Sequence, residues 1–271
     1  MKGIINYFST TGNTKRMVEY FTHQTESVEF SLMDMKKLIM PDFANYDVIG
    51  FAFPVEFFGL PRFVLNWIRY IPKQTTIRNA FLLLSFSNIP GTALIQARNE
   101  LKSKLLKVIA GHALHMPDNY PISRMKGFTA NQAPNQAEKS RFHLFIRIFN
   151  ELMHSIQEGH EILEATFRLS MVNYFMNIPD PVAAKRSMGF KYLDRQKCTK
   201  CAICEEVCPS KAIHLNPYPE FNEVQCLGCW GCYHHCPTQA IYTNKIRNKG
   251  HYLAEHLPTL FDKLPLHKEN P

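Results

Sequence analysis

Apolar runs alternate with helix-like stretches along the first part of the chain. Strand-like runs lie at residues 2–8, Val28–Leu32, Val48–Phe53, Ala80–Phe86 and His112–Met116. Between them, the spacing of apolar positions predicts helices near residues 13–24, 60–70 and 91–109. Because strands alternate with helices, we expect an α/β protein with a parallel sheet covered on both faces. Ligands bind such sheets at the carboxyl ends of the strands.

A longer helical pattern follows at residues 135–176. Its apolar stripe consists of Phe142, Phe145, Phe149, Leu152 and Ile156. Steps of three and four residues predict a helix that packs on the sheet or at a domain interface, rather than one that binds a cofactor.

All eight cysteines lie between residues 198 and 236, in two runs with the same spacing. The runs are Cys198-x2-Cys201-x2-Cys204-x3-Cys208-Pro209 and Cys226-x2-Cys229-x2-Cys232-x3-Cys236-Pro237. Each cysteine of the first run recurs 28 positions later, and Ala212-Ile213 recurs as Ala240-Ile241 at the same offset. The repeat therefore indicates an internal duplication of a folding unit.

This spacing suits iron–sulfur chemistry. Three thiolates at i, i+3 and i+6 bind three corners of one cube, and in two-cluster proteins the fourth cysteine of each run binds the other cluster. Cluster I would then be held by Cys198, Cys201, Cys204 and Cys236, and cluster II by Cys226, Cys229, Cys232 and Cys208. Structural zinc favours paired CxxC motifs separated by a longer loop. Disulfides favour an exported protein, so we expect two [4Fe-4S] clusters.

Over roughly residues 190–245, the sequence closely resembles bacterial two-[4Fe-4S] ferredoxins at every ligand position. Pro209 and Pro237 predict a short helix after each fourth cysteine, since proline is favoured at the first helical position. His234 and His235 lie beside Cys236, and we expect them to be surface residues that modulate the field of the cluster.

A hydroxyl-rich turn follows the first predicted strand. It consists of Ser9, Thr10, Thr11, Gly12, Asn13 and Thr14. At the start of a helix, free backbone N–H groups and the helix dipole attract a phosphate, although such a turn alone also serves as a plain helix cap. No lysine follows in the manner of a nucleoside-triphosphate loop. The turn resembles the S/T-x-T-G-x-T phosphate loop of flavodoxins, which implies FMN.

Two further loops correspond to the flavin-ring loops of flavodoxin-like domains. The first contains Pro54, Val55, Glu56, Phe57, Phe58 and Gly59, and the second contains Phe86, Ser87, Asn88 and Gly91. The resemblance implies that Phe57 or Phe58 stacks on the flavin and that Gly59 permits a peptide flip, although each phenylalanine alone also suits a protein core. The second loop departs from typical flavodoxins, because it lacks the stacking tyrosine and the neighbouring acidic residue.

The whole chain resembles proteins that fuse a flavodoxin-like domain to a ferredoxin, in part through the Met116-Pro117-Asp118-Asn119-Tyr120 stretch. The resemblance implies an α/β doubly wound parallel sheet at 1–178 and a small α+β two-[4Fe-4S] domain at 191–245. Residues 179–190 would be a linker, followed after Pro179 and Pro181 by a basic stretch with Lys185, Arg186 and Lys191. Residues 246–271 would be a C-terminal tail without a recognisable motif. We assign His115, Asp118 and Tyr120 no catalytic role.

The formal net charge is +8, yet residues 191–243 hold five basic and five acidic residues, so the excess lies outside the cysteine segment. Such charge attracts acidic proteins, nucleic acid or anionic membranes, or forms a solvated face. For an electron carrier we expect a redox protein, such as an acidic ferredoxin or flavodoxin, and no nucleic acid. No apolar run is long enough to span a membrane. The N-terminus lacks the features of a signal peptide, so we expect a cytoplasmic protein.

Two clusters and a flavin predict an electron-transfer protein that exchanges electrons with a redox partner or a small acceptor. Oxygen-labile clusters suit anaerobic metabolism. An alternative is a flavin-dependent reductase of a quinone, nitro compound or similar acceptor, supplied with electrons by the clusters. A third hypothesis is an iron–sulfur protein whose flavodoxin-like domain is empty and serves only for docking.

Overall fold

A computed structural model describes residues 1–126, 133–168 and 188–254. The N-terminal part is built on five strands: β1 (Lys2–Tyr7), β2 (Glu29–Asp34), β3 (Val48–Pro54), β4 (Arg78–Phe86) and β5 (Leu106–His115). They form one parallel sheet in the order β2-β1-β3-β4-β5. This is the flavodoxin-like doubly wound order, so the predicted fold class is confirmed.

Helices cover both faces of the sheet. On one face lie α1 (Asn13–Gln24) and α5 (Gln136–Gln157), and on the other α2 (Arg62–Tyr70) and α3 (Ala93–Lys102). A short α4 (Pro121–Lys126) follows β5, and 3-10 turns occupy Met35–Lys37 and Phe43–Asn45. Phe142 and Phe149 of α5 are fully buried against the sheet. The predicted packing role of this helix is confirmed.

Two helix predictions extended too far. The predicted helix at 91–109 ends at Lys102, and the strand β5 already begins at Leu106. Leu106, Val108 and Ile109 are all buried because this strand is covered on both faces, and a continuous apolar run fits helix and strand equally well. The predicted helix at 135–176 ends at Gln157. Residues 169–176 of that prediction lie outside the described part of the chain.

The C-terminal unit keeps the symmetry of its duplicated sequence. Strand β6 (Lys191–Leu193) pairs with β9 (Ile241–Thr243), and β7 (Ile213–Leu215) pairs with β8 (Pro219–Phe221), both antiparallel. The short helices are α6 (Ile203–Glu206) and α7 (Gly231–His235). Strands β6 and β8, strands β7 and β9, and helices α6 and α7 each begin 28 residues apart.

The predicted helices after Pro209 and Pro237 are wrong, because α6 and α7 come before each fourth cysteine. After each proline the chain makes a turn instead, in which Lys211 and Gln239 adopt a φ of 53°. This turn directs the following backbone N–H groups towards the sulfur of the preceding cysteine. Among the described helices, none has the length and apolar character needed to cross a membrane.

Candidate functional site

The eight cysteines form two groups of four, each around a small cavity. Quartet I consists of Cys198, Cys201, Cys204 and Cys236. Quartet II consists of Cys208, Cys226, Cys229 and Cys232. Each group combines three cysteines of one run with the fourth cysteine of the other run. Among the described residues, no three ligand-type side chains converge on the position of a single ion; the thiols line cavity walls instead.

Hydrogen-bond donors point at the sulfurs of both quartets. Ala212 N donates to Cys208 Sγ and Ala240 N donates to Cys236 Sγ, each at 3.2 Å. Gly228 N donates to Cys226 Sγ at 3.3 Å. Donors of this kind stabilise the negative charge of metal-bound thiolates and tune reduction potentials. The two sites therefore suit iron–sulfur clusters in the chemistry of their ligands.

Burial opposes ionisation of several of these thiols when they carry no metal. It raises the pKa of Cys204 to about 11 and that of Cys229 to about 12, and it raises the pKa of Cys232 well above its ordinary value. A bound metal replaces the thiol proton and stabilises the thiolate directly. Cluster assembly at both quartets is thus expected to release protons.

A larger cleft of about 410 Å³ lies at the carboxyl ends of the sheet strands. This volume falls in the usual range of about 300–1,000 Å³ for ligand sites. The sheet side of the cleft is formed by Phe8, Thr10, residues 54–58, Pro61, residues 87–89, residues 118–120 and Ser123. The other side is formed by Met188, Gly228, Cys229 and Trp230. Both parts of the chain therefore build one cleft.

The residues predicted to bind flavin divide into three groups, one of which is Ser9, Thr11, Gly12, Asn13 and Thr14 of the turn at residues 9–14, outside the lining of the cleft. Pro54, Val55, Glu56, Phe57, Phe58, Ser87, Asn88 and Thr10 line the cleft. Gly59, Phe86 and Gly91 lie behind its wall: Phe86 stacks on His115 with ring centroids 5.4 Å apart, and Thr92 next to Gly91 donates its N–H to Phe58 O at 3.0 Å. The latter residues therefore support the loops rather than face a ligand.

The loop at residues 56–59 is a tight turn. Glu56 N donates to Gly59 O at 3.1 Å, and Gly59 N donates to Glu56 O at 3.0 Å. Between them, Phe57 and Phe58 adopt φ values of 48° and 63°. A left-handed conformation costs a non-glycine residue on the order of 1–3 kcal/mol and occurs mainly where function requires it. Both phenylalanines of this turn lie on the cleft wall.

Gly91 holds this turn in place, and we expect Gly91→Ala to displace it. A Cβ at Gly91 would lie 1.9 Å from Phe58 O, and its φ is 58°. We expect a loss of at least ~2 kcal/mol in stability, which lowers the Tm of this domain by roughly 4–8 °C. The matched control is Gly159→Ala, because Gly159 has a φ of 85° with nothing within 4 Å. Equal melting shifts in the two variants would contradict the supporting role of Gly91.

The turn at residues 9–14 connects β1 to α1 at the same edge of the sheet. Gly12 precedes α1 with a φ of 95°, and no side chain caps the first turn of the helix. Free N–H groups at such a terminus suit a phosphate. Some of the predicted side chains are already engaged, since Thr14 Oγ1 bonds to Ser85 Oγ at 2.8 Å and Asn13 Nδ2 donates to Pro117 O at 2.8 Å. A phosphate bound at this turn would therefore be held by the backbone amides of the turn and by the hydroxyls of Ser9 and Thr10.

Contacts between the two parts of the chain centre on α7. His235 Nε2 bonds to Thr10 O at 2.9 Å. His234 is 5% exposed, and its Nε2 bonds to Asn119 O at 2.6 Å. Burial lowers the pKa of His234 to about 3, so the ring is neutral. The prediction that both histidines are surface residues is therefore wrong, because they connect the cysteine loops to the sheet domain.

The segment 251–254, predicted to belong to a tail, covers the turn at residues 9–14. Ala254 N donates to Thr11 O at 2.8 Å, and the Tyr252 hydroxyl donates to Asn13 Oδ1. Tyr252 N donates to His234 Nδ1 at 3.0 Å. This segment therefore bridges the candidate phosphate loop and the cysteine domain.

Sequence reasoning missed the loop at residues 118–120 as part of the site. Tyr120 faces Trp230 with ring centroids 5.9 Å apart, and Tyr120 N donates to Asp118 Oδ1 at 2.8 Å. Burial raises the pKa of Asp118, and it raises the pKa of Glu56 to about 7 although Arg62 opposes the effect. The cleft thus holds two acidic side chains that ionise less readily than usual. The Met-Pro-Asp-Asn-Tyr stretch was the signal for this loop.

The strand order and the cysteine quartets define a protein that joins a flavodoxin-like α/β domain to an iron–sulfur domain. Residues 181–241 match the family of the 4Fe-4S dicluster domain. No curated protein matches the chain.

Solved structures resemble the N-terminal part. A flavodoxin from the domain Archaea is 14% identical with a TM-score of 0.38, and the match covers 57% of this chain and 99% of that one. Megasphaera elsdenii flavodoxin is 21% identical with a TM-score of 0.38, over 44% of this chain and 90% of that one. An NAD(P)H:quinone oxidoreductase from Methanothermobacter marburgensis is 11% identical with a TM-score of 0.39, over 59% and 98%. Because these TM-scores are low, the fold assignment depends on the strand order of this chain and not on the similarity to these structures.

Proposed function

We propose that this protein binds two [4Fe-4S] clusters and one FMN and transfers electrons between them and an external redox partner. The observation that carries the proposal is that Cys229 and Trp230 line both the quartet II cavity and the cleft. A flavin in the cleft and a cluster in quartet II would both lie against these two residues. Iron–sulfur clusters supply one-electron transfer, and a flavin accepts one or two electrons.

The residues of the cleft have distinct roles in this proposal. Thr10 and the amides at the start of α1 bind the phosphate, and Phe57 and Phe58 contact the ring system. Tyr120 and Trp230 face each other at the boundary of the two domains, where Trp230 is buried and Tyr120 is half-buried. Aromatic rings at such a contact bury a large apolar area and favour defined relative orientations.

The partner we propose is an acidic redox protein that docks at quartet I. Cys201 is exposed, and Arg195, Lys197 and Lys200 around it are exposed as well. A basic surface beside a redox centre steers acidic partners and makes the association rate fall with ionic strength.

The direct test is anaerobic purification followed by counts of iron, sulfide and acid-released flavin. We expect about eight iron and about eight sulfide per chain, as two cubes require, with about one FMN. A colourless protein that contains zinc would overturn the proposal. Clusters without flavin would instead support the hypothesis that the sheet domain serves only for docking.

A second candidate is a flavin-dependent reductase of a quinone or nitro compound. It is favoured by Glu56, because reduction of an organic acceptor consumes protons and a carboxyl group whose pKa is raised to about 7 supplies them near neutral pH. Burial also raises the pKa of Asp118 in the same cleft. Stopped-flow oxidation of the reduced protein by a quinone distinguishes the two functions. A reductase gives a rate that saturates with quinone and decreases in Glu56→Gln, whereas a carrier gives a rate that increases linearly.

A further inference from the structure

The duplication allows the two quartets to be compared position by position. Strands β6 and β8 are equivalent, and their first residues, Lys191 and Pro219, are 28 positions apart. Lys191 lines the quartet II cavity, and Pro219 lines the quartet I cavity. The same place beside each quartet is therefore occupied by a cation in one half and by an apolar ring in the other.

Lys191 is held against a ligand sulfur. Its Nζ donates to Cys226 Sγ at 2.8 Å and lies 3.6 Å from Glu223 Oε2. The side chain is only 8% exposed. Sequence reasoning placed this lysine in a basic stretch after the linker, but the structure places its ammonium group inside the domain. Pro219 has no charge and no N–H to donate.

The rest of the sulfur environment is nearly the same in both halves. The backbone donors at Ala212 and Ala240 lie at equal distances from their sulfurs. The Ser210 hydroxyl lies 3.7 Å from Cys208 Sγ, and the Thr238 hydroxyl lies 3.8 Å from Cys236 Sγ. These paired contacts do not separate the two sites in energy. Two donors are found at quartet II alone, Gly228 N at 3.3 Å and Lys191 Nζ at 2.8 Å from Cys226 Sγ. Only the lysine brings a full positive charge to the sulfur, so it is the main electrostatic difference.

Charges elsewhere change this picture little. Glu223, whose Oε2 lies 3.6 Å from the Lys191 Nζ, offsets part of the lysine charge, but the ammonium group is the one in contact with the sulfur. Lys200 lines the quartet I cavity, yet it is exposed and its Nζ lies over the Tyr218 ring at 4.6 Å. Exposed charges are screened by water and salt, whereas a buried charge-assisted hydrogen bond is not. Lys191 should therefore change the difference in reduction potential between the two clusters more than these other charges do.

We propose that Lys191 gives the cluster of quartet II a higher reduction potential than the cluster of quartet I. Reduction adds a negative charge to a cluster, and a cation that donates to a ligand sulfur stabilises the added charge. The proposal rests on the cluster content of the proposed function. The proposal adds a direction of electron flow to that function: electrons that enter at the exposed quartet I move to quartet II, which lies beside the cleft.

The test is a redox titration of the anaerobic holoprotein, followed by electron paramagnetic resonance, with and without Lys191→Met. Methionine has a similar length but removes the charge and the donor. Titration in a Cys201→Ser background, which retains only quartet II intact, assigns the signal to that cluster. We expect the equilibrium constant for its reduction to fall at least tenfold, which is about 59 mV for one electron. The cluster of quartet I should keep its potential in the Lys191→Met single variant.

Two further variants keep the test decisive. Lys249→Met removes an exposed lysine of the C-terminal part of the chain that lies outside the turns that contact the cysteine sulfurs, and it should shift neither potential appreciably. Lys191→Arg retains the cation and should keep most of the parent value. If Lys191→Met fails to retain iron, Lys191→Gln replaces it in the same titration.

An unchanged potential for quartet II, or equal shifts of both clusters, would overturn the role of Lys191. A Lys249→Met shift as large as that of Lys191→Met would do so as well. These outcomes differ from failure of the proposed function, which appears beforehand as missing iron or missing flavin in the cofactor counts.

Discussion

Replacing Cys229 with serine should remove the cluster of quartet II and disconnect the flavin from the electron supply. Cys229 is the one cysteine of the described residues that lines both the cluster cavity and the cleft. We expect iron to fall from about eight to about four per chain, while the FMN content stays near that of the parent. Reduction of the flavin by an external one-electron donor should slow by at least about tenfold, because the nearest relay is missing. Metal analysis and stopped-flow absorbance measure both effects.

The matched control is Cys201→Ser, which changes a cysteine of quartet I that is exposed and does not line the cleft. It should also halve the iron content but leave the cluster of quartet II assembled. If both variants lost both clusters, or if Cys229→Ser removed the cluster built on Cys198, the division into quartets I and II would be wrong.

Gly12→Val should remove FMN while sparing the clusters. Gly12 has a φ of 95°, and a Cβ there would lie 3.0 Å from Ala254 Cβ. A β-branched residue would therefore distort the turn at residues 9–14 and displace the segment 251–254. A cost of ~1.4–3 kcal/mol in the bound state weakens FMN binding by roughly 10- to 100-fold. Flavin fluorescence titration of the apoflavin protein measures the Kd, and the absorbance of the clusters should persist.

Gly159→Val is the control for the cost of placing a β-branched residue at a positive φ. Gly159 also has a positive φ, but no atom lies within 4 Å of its Cβ position. That variant should bind FMN as tightly as the parent does. Equal affinities in Gly12→Val and the parent would refute the assignment of the turn as a phosphate loop.

The positions of the sheet strands and the grouping of the cysteines were accessible from sequence for clear physical reasons. Runs such as Val48–Phe53 are apolar throughout because both faces of a parallel sheet are buried. The fixed spacing of the cysteines indicates which three of each run bind one cluster, and the 28-residue repeat predicts two equivalent halves. Local pattern was sufficient for the strands, whereas the exchange of the fourth cysteine between the runs was inferred from the arrangement of two-cluster proteins.

The features that sequence did not reveal depend on contacts between distant parts of the chain. Trp230 and Tyr120 meet only when the two domains dock, and nothing in their neighbours along the chain specifies that contact. His234 resembled a surface residue because its partners, Asn119 and Tyr252, come from two other segments. Lys191 belonged to a basic stretch in sequence, and only the pairing of β6 with β9 brings it into the domain.

The helices wrongly expected after Pro209 and Pro237 show a different limit. Proline at the first helical position is a statistical preference, and here the need to donate an N–H to the cysteine sulfur determines the turn instead. Local propensity is therefore overruled where a ligand contact sets the backbone.

The central claim is that the flavin and the cluster of quartet II share one protein molecule and one cleft. The most direct test is the rate of flavin reduction after rapid photoreduction of the clusters, measured over a range of protein concentrations. A shared cleft predicts a first-order rate that does not change with protein concentration. A rate that rises in proportion to protein concentration would mean that electrons pass between molecules, and it would contradict the account.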